Sequence, residues 1–520
     1  MTPSRPSSPS HGDEEAAEVL SGGAMTHGHR AAHVPQQGGV ADLELGGLGR
    51  IIGRGLGWSF LNNVASRLFS VLSGIVLARL LVPEDYGVFA IALIVLNAGL
   101  SMNELGVSLA VVRWGEDELH AIAPTVATMA LGWSAALYAG CWLMAPVVGT
   151  TLHVPDAAIL IRVLSVCILV DSVAAVPAAL ITRRFLQGRR LTIDLVSAAS
   201  GAGLSIGLAV GGLGAWAMVW GFVTSNVVAG ILTIWMSPGR IRLGWSGVAA
   251  RSLLSFGLPL AGSSFLVFVM LNLDYVIVGK WLGSEALGLY LLAFNVCSWP
   301  VMLVSAAVRR VSFAAFSRLA GDAQVAGRAF GRSAGLLMAM TFPLCALLAV
   351  YAGPGVSFLY GPKWMPAVDT IRWLCVLGAA RVALELAYDY LAAMHRTMAD
   401  LSLQVLWIVL LVPALIVGAK WDGIRGVAVA HAVVAGAVVL PAFTAVLARC
   451  HVDVGQLVRL SLRPVLTAAA IALSSWGVLA MVEGSLLQLL VGGVVGLALS
   501  AILLAPMRVL AQVGAAAARR

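Results

Sequence analysis

The chain has 520 residues, 60% of them hydrophobic and 11% charged, with a net charge of +8. A water-soluble protein is nearer half apolar and a quarter charged, and a single soluble core stops growing near ~250–300 residues, so lipid is the solvent this composition implies. All 33 basic residues except Lys280, Lys363 and Lys420 are arginine, an excess suited to loops facing anionic headgroups rather than to a nucleic-acid surface.

Residues 1–50 are rich in Ser, Pro, Gly, His and acidic side chains, with no apolar stretch of signal-peptide length. This predicts a disordered cytosolic tail. His11, His27, His29 and His33 are irregularly spaced and have no cysteine beside them, so they read as solvated rather than metal-binding. The six cysteines, at 141, 167, 297, 345, 375 and 450, form no CxxC or Cys/His pattern. No metal, cofactor or disulfide framework is expected from them.

From about Gly53 onward, apolar runs recur at the ~20-residue length of a bilayer crossing. They fall near 57–80, 86–112, 121–149, 157–182, 191–213, 215–236, 252–279, 286–308, 333–352, 366–394, 400–418, 424–448, 462–482 and 485–507. The prediction is an all-α polytopic membrane protein of about 14 transmembrane helices. Loop charge tests the count. The loops after even-numbered spans carry 17 basic residues and the opposite loops five, which implies both termini inside, in the cytoplasmic (inner) membrane.

The chain also repeats itself. IVLARLLVPEDYGVFAIALIV (75–95) matches VIVGKWLGSEALGLYLLAFNV (276–296) at a constant offset of 201, pairing Arg79 with Lys280, Glu84 with Glu285 and Gly87 with Gly288. A second match pairs Gly211 and Gly214 with Gly423 and Gly426. An even number of spans separates the copies, so the repeat is parallel, a build that places a transporter's path between its halves. The expected divisions are the tail (1–50), two six-helix bundles (51–245 and 246–450), and two extra helices with a short basic tail (451–520).

Charges inside a bilayer cost at least ~2.5–3.5 kcal/mol each, so each needs a reason. Asn63, Arg67, Ser70 and Gly74 share one stripe of the first span, and Asn97, Ser101, Glu104 and Ser108 one of the second. Asn272 and Asp274 lie on the seventh span, and Asn295, Ser298, Ser305 and Arg309 continue on the eighth. These are the spans joined by the repeat, and their polar faces are the candidate lining of a central cavity. Asp274 reads either as an ion-coupling carboxylate or as the partner of an arginine. Arg381 and Glu385, at i and i+4, are expected to form a structural ion pair. His431 reads as packing.

ARLLVPEDYG, with NELGVSLAVVR (103–113) downstream, resembles the opening signature of bacterial polysaccharide flippases. Their superfamily also contains multidrug exporters and the lipid II flippase, and its layout of two sixes plus two matches the span count over about residues 50–510. The resemblance implies export of an undecaprenyl-linked oligosaccharide or repeat unit by alternating access, coupled to an ion and without a cofactor, with glycosyltransferase or polymerase machinery as partners. On that basis Arg67 becomes a cation for the substrate's pyrophosphate, since guanidinium forks suit phosphate oxygens. The other reading is an Arg67–Glu104 pair that fixes spans 1 and 2, and the two are compatible if substrate displaces the carboxylate.

An enzyme is not expected, because every loop is short and no phosphate loop, nucleophile elbow or HExxH is present. A multidrug exporter would favour acidic cavity walls, whereas the first span offers arginine. A lipid II-type flippase is the third reading.

Overall fold

The computed structural model describes Asn62 and residues 65–66, 68–103, 116–184, 186–238, 243–319 and 322–517. The expected tail of residues 1–50, together with Asn63, Arg67 and Glu104, lies outside the described residues. Lipid offers no partner for an exposed backbone N–H or C=O, so a long apolar run satisfies its own backbone by coiling into a helix. Among the described residues ten helical ranges are long and apolar enough to cross a membrane, and no strand occurs.

The helices run in the order α1 (Leu68–Leu80), α2 (Pro83–Asn103), α3 (Glu116–Thr151), α4 (Ala157–Arg183), α5 (Gln187–Val210), α6 (Ala215–Met236) and α7 (Gly247–Leu319). They continue with α8 (Ala323–Val350), α9 (Ala352–Leu359), α10 (Val368–Ala393), α11 (Thr397–Val433), α12 (Leu440–Arg449), α13 (Val454–Met481) and α14 (Ser485–Ala517). A 3-10 turn, Pro362–Ala367, precedes α10, and a π-helical stretch, Val434–Val439, joins α11 to α12.

Two of these ranges double back. Gly283 (φ 88°, ψ −179°) divides α7 into arms 247–282 and 284–319. A Cβ on Gly279 would stand 3.3 Å from the Leu287 side chain, although eight residues of straight helix would span about 12 Å. In α11, Asp422 (φ −149°) and Gly423 (φ 54°, ψ −136°) make the same kind of break. There the backbones of Gly418 and Gly426 touch.

Several helices outrun their apolar stretches. The run expected at 286–308 stays helical to Leu319, and the one expected to start at 333 begins at Ala323, capped by Asp322, whose Oδ1 accepts from the N–H groups of Gln324 and Val325 at 3.0 Å. Arg318, Arg328 and Arg332 therefore sit on exposed helix ends rather than in loops. Their long side chains reach polar surroundings while their backbones remain hydrogen-bonded.

The backbone also corrects the second repeat match. Gly214 (φ 54°, ψ −133°) has the conformation of Gly423, whereas Gly211 is ordinary right-handed helix (φ −71°, ψ −1°). The equivalent pair is Gly214 with Gly423, three residues out of the register expected from sequence. The first match holds: the break between α1 and α2 falls at residues 81–82 and its counterpart at Gly283, consistent with the offset of 201.

That offset governs a close helix crossing. Along α2 and the second arm of α7, a Cβ on Gly87 would overlap the Ser284 carbonyl, and one on Gly288 would overlap the Pro83 carbonyl. Ser284 is Pro83 plus 201 and Gly288 is Gly87 plus 201, so each copy gives the same glycine to the other's backbone. Large apolar side chains such as Leu143, Trp235, Trp476 and Met481 are more than 70% exposed, as expected of a surface that meets acyl chains. Replacing Gly288 with Val should separate the two helices and lower the detergent-solubilised protein's stability by about 1–3 kcal/mol, the usual cost of overpacking. Thermal unfolding beside Gly74→Val, where a Cβ has open space, checks this.

Candidate substrate path

The glycine crossing lies at one end of the molecule. Asp85, in the first turn of α2, accepts through Oδ1 from the Ala215 N–H at 3.0 Å and through Oδ2 from the Val82 N–H at 3.2 Å. It thereby ties the start of α6 to the start of α2. The far end of α6 is held by Arg189, which donates through Nη1 to the Met236 carbonyl at 2.7 Å. The crossing is therefore opposite the arginine-rich end formed by residues 183–190.

The segment before α10 packs against this same end. Helix α1 finishes with carbonyls that have no partner in their own helix. The buried Trp364 donates its indole N–H to the Ala78 carbonyl at 2.8 Å, and Lys363 Nζ donates to the carbonyls of Arg79, at 2.9 Å, and Leu81. Arg79 returns the exchange by donating to the carbonyls of Leu359 (2.9 Å) and Phe358 at the end of α9. Tyr86 stands edge-on to Trp364, with centroids 5.0 Å apart. A cation at a helix C-terminus also meets the negative end of the dipole. Desolvation against this end pulls the Lys363 ammonium below its ordinary pKa, and Asp85 partly restores it.

The expected cavity residues occupy different surroundings. Asn97 on α2 is half-buried. Asn272 is half-buried and donates to the Phe268 carbonyl at 2.9 Å, while Asn295 is exposed. Arg309 lies on the second arm of α7, and its side chain is outside the described residues.

Asp274 is 3% exposed and sits in a closed cluster. Its Oδ2 accepts from the Tyr290 hydroxyl at 2.9 Å, and its Oδ1 from the Tyr275 N–H at 3.0 Å. Tyr275, Tyr290 and Phe294 pack ring to ring around it, with centroids 5.5–6.4 Å apart. His431 Nδ1 stands 4.0 Å from Asp274 Oδ2, is buried and makes no hydrogen bond. Arg381 lies over the Phe294 ring at 5.8 Å, with its Nη2 4.0 Å from Glu385 Oε1. The cluster thus draws on both arms of α7, on α10 and on α11. The π-helical stretch begins three residues after His431, where the extra residue per turn locally widens the helix. The sequence alone implies packing for His431, and no spacing signal links it to a carboxylate 157 positions away. Removing the Tyr290 hydroxyl (Tyr290→Phe) leaves Asp274 short of a donor and should cost about 1–3 kcal/mol, measured as a fall in melting temperature; Tyr388→Phe, at an exposed position, should be silent.

Comparison with known proteins follows this geometry. The polysaccharide biosynthesis protein family matches residues 76–369, more than half of the chain and both sides of the glycine crossing. The succinoglycan biosynthesis transport protein ExoT of Rhizobium meliloti is 26% identical over 330 residues, 63% of this chain and 66% of that protein, just under two thirds of its length. The lipopolysaccharide biosynthesis protein WzxC of Escherichia coli is 23% identical over 375 residues, 72% of this chain and 76% of that one. Among solved structures, the lipid II flippase MurJ in an inward closed conformation superposes with a TM-score of 0.68 at 13% identity, covering 87% of this chain and 99% of that chain. An inward-facing multidrug transporter of the MATE family gives 0.57 at 18% identity, covering 74% and 94%. The two structures establish a shared fold, and the sequence match settles the lineage: the chain belongs to the polysaccharide biosynthesis protein family.

Proposed function

We propose that the protein is a flippase that moves an undecaprenyl-linked oligosaccharide or polysaccharide repeat unit across the cytoplasmic membrane by alternating access. The observation that carries this reading is the family match spanning both copies of the repeat, with relatives named for succinoglycan transport and lipopolysaccharide biosynthesis. The crossing of α2 with the second arm of α7 supports the mechanism. It closes one end of the interface between the copies through contacts that can be broken as a unit.

In this reading the chain crosses the membrane fourteen times with both termini inside. The reversals at Gly283 and Gly423 support that count, each turning one helical range into two crossings. Helices α1 and α10 supply the remainder. Residues 51–245 and 246–450 form the two six-helix bundles, 451–520 the added pair, and the sealed end faces outward. Asn63, Arg67, Asn97, Glu104, Asn272, Asn295 and Arg309 line the path, with Arg67 meeting the pyrophosphate. Asp274, with His431 4.0 Å away, is the ion-coupling carboxylate of the second bundle, and Arg381 with Glu385 holds the cluster in place. Glycosyltransferases and a polymerase supply and consume the cargo.

The test is reconstitution into proteoliposomes with a fluorescent undecaprenyl-pyrophosphate oligosaccharide. Arg67→Ala should lower flipping about tenfold or more, as expected for loss of a charge-assisted contact of about 1.5–3 kcal/mol. Normal flipping by that variant overturns the phosphate role. Transport of cationic dyes with no glycan movement would assign the chain to the multidrug branch instead.

A further inference from the structure

A cavity of ≈ 540 Å³ opens beside Arg79, at the end of the molecule that holds the glycine crossing. It is lined by Arg79, by Ser357 and Phe358 of α9, and by residues 484–487 and Leu490 at the start of α14. The volume falls in the range of about 300–1,000 Å³ that takes a ligand of drug size. Its α14 wall is fixed in place. Gly484 (φ 94°) makes the turn into the helix, and Gln488 Nε2 ties that turn to the end of α13 by donating to the Val482 carbonyl at 2.9 Å. Two turns further on, Gly492 lies against the Tyr351 ring.

The polar part of the lining is rich in uncommitted donors. Arg79 uses Nε and Nη2 on the Leu359 and Phe358 carbonyls, which leaves Nη1 with no acceptor among the described residues. The first α14 backbone N–H with an acceptor is that of Gln488, bonded to the Gly484 carbonyl at 3.0 Å. Those of Ser485, Leu486 and Leu487 have none among the described residues, and the hydroxyls of Ser357 and Ser485 make no hydrogen bond among them. The exposed Glu483 precedes Gly484 but is not part of the lining. The rest of the lining is apolar and open, with Phe358, Leu486, Leu487 and Leu490 all exposed. Leu487, Leu490, Val494 and Leu497 follow at i, i+3, i+7 and i+10, one exposed stripe that leads from the cavity down α14.

We propose that this cavity holds the phosphodiester headgroup of a glycerophospholipid, with its acyl chains laid along the α14 stripe. Charge complementarity selects the headgroup, because a guanidinium and the open N–H groups of a helix start both suit phosphate oxygens. The stripe selects a lipid over a free anion, since chains that begin at a phosphate on Arg79 pass directly onto Leu487 and Leu490. In the orientation proposed above, this is a lipid of the outer leaflet, distinct from the cargo. Its phosphate shares the Arg79 guanidinium with the carbonyls that end α9. The bound lipid therefore ties α14 to the strap between α1 and α9, so that occupancy of the cavity stabilises that strap.

The experiment reads lipid binding, so it stands or falls separately from glycan flipping. The full-length protein, delipidated in detergent, is titrated with palmitoyl-oleoyl phosphatidylglycerol, and bound lipids are counted by native mass spectrometry. One lipid should bind well ahead of the rest. Arg79→Gln should weaken that first binding by about tenfold, as expected for loss of a charge-assisted contact. Arg79 also holds α9, so Ser485→Glu supplies a variant that separates binding from folding. A carboxylate in the first turn of a helix suits its dipole but repels phosphate, so this variant should keep its lipid-free melting temperature and lose the first lipid. Arg372→Gln, which alters only an exposed ion pair with Asp369, should bind as wild type does. Retention of the first lipid by either Arg79→Gln or Ser485→Glu overturns the proposal. Equal binding of the deacylated headgroup glycerophosphoglycerol, or displacement of the lipid by equimolar undecaprenyl phosphate, overturns it as well. If Arg79→Gln fails to fold, Ser485→Glu decides.

Discussion

Two helices from the two copies of the repeat meet through glycine on both sides. Where α2 meets the second arm of α7, Gly87 lies on the Ser284 carbonyl and Gly288 on the Pro83 carbonyl. Between membrane helices the hydrophobic effect offers no attraction, because lipid tails are as apolar as leucine. Close backbone packing through small residues takes its place. A side chain at either position would hold the helices apart and remove the dispersion contacts that join the copies. The crossing is thus a backbone-to-backbone joint between the repeats, sensitive to a single methyl group.

The strap around that joint follows from a different constraint. The carbonyls ending α1 must find donors, and Lys363, Trp364 and Arg79 reach across between the α1–α2 turn and the α9–α10 segment to make the exchange. The same contacts satisfy the α1 carbonyls and join the two segments. In the proposed mechanism, opening this end would release those carbonyls and separate the glycines together, which favours two discrete states over a continuum.

Inside the bundle, similar carboxylates have been given different environments. Asp274 is enclosed by aromatic rings and satisfied by Tyr290 and Tyr275, with the imidazole of the half-buried His431 4.0 Å away. Asp171 and Asp194 line a cavity of ≈ 190 Å³ among α4, α5 and α6, where Asp171 accepts from Asn103 and Asp194 from Asn62. The difference lies in the neighbours each carboxylate has been packed against, since all three are single acidic residues within apolar helices.

Much of the architecture follows from one-dimensional information. The apolar run lengths imply helices because lipid leaves a backbone no other way to satisfy its hydrogen bonds. The 201-residue offset identified positions that the fold uses as mutual partners, since a duplicated segment that pairs with its own copy leaves matching residues at matching depth. The match at Gly211 and Gly214 lies three residues out of register, because sequence favours pairing two glycines with two and only the φ and ψ values single out Gly214 with Gly423. The residues that meet across long separations, His431 with Asp274, Trp364 with Ala78 and Asn62 with Asp194, left no periodic signature. Helix formation depends on neighbours within a few residues and is written locally. Which buried polar atoms share a pocket depends on how the finished helices cross, and only the tertiary structure decides that.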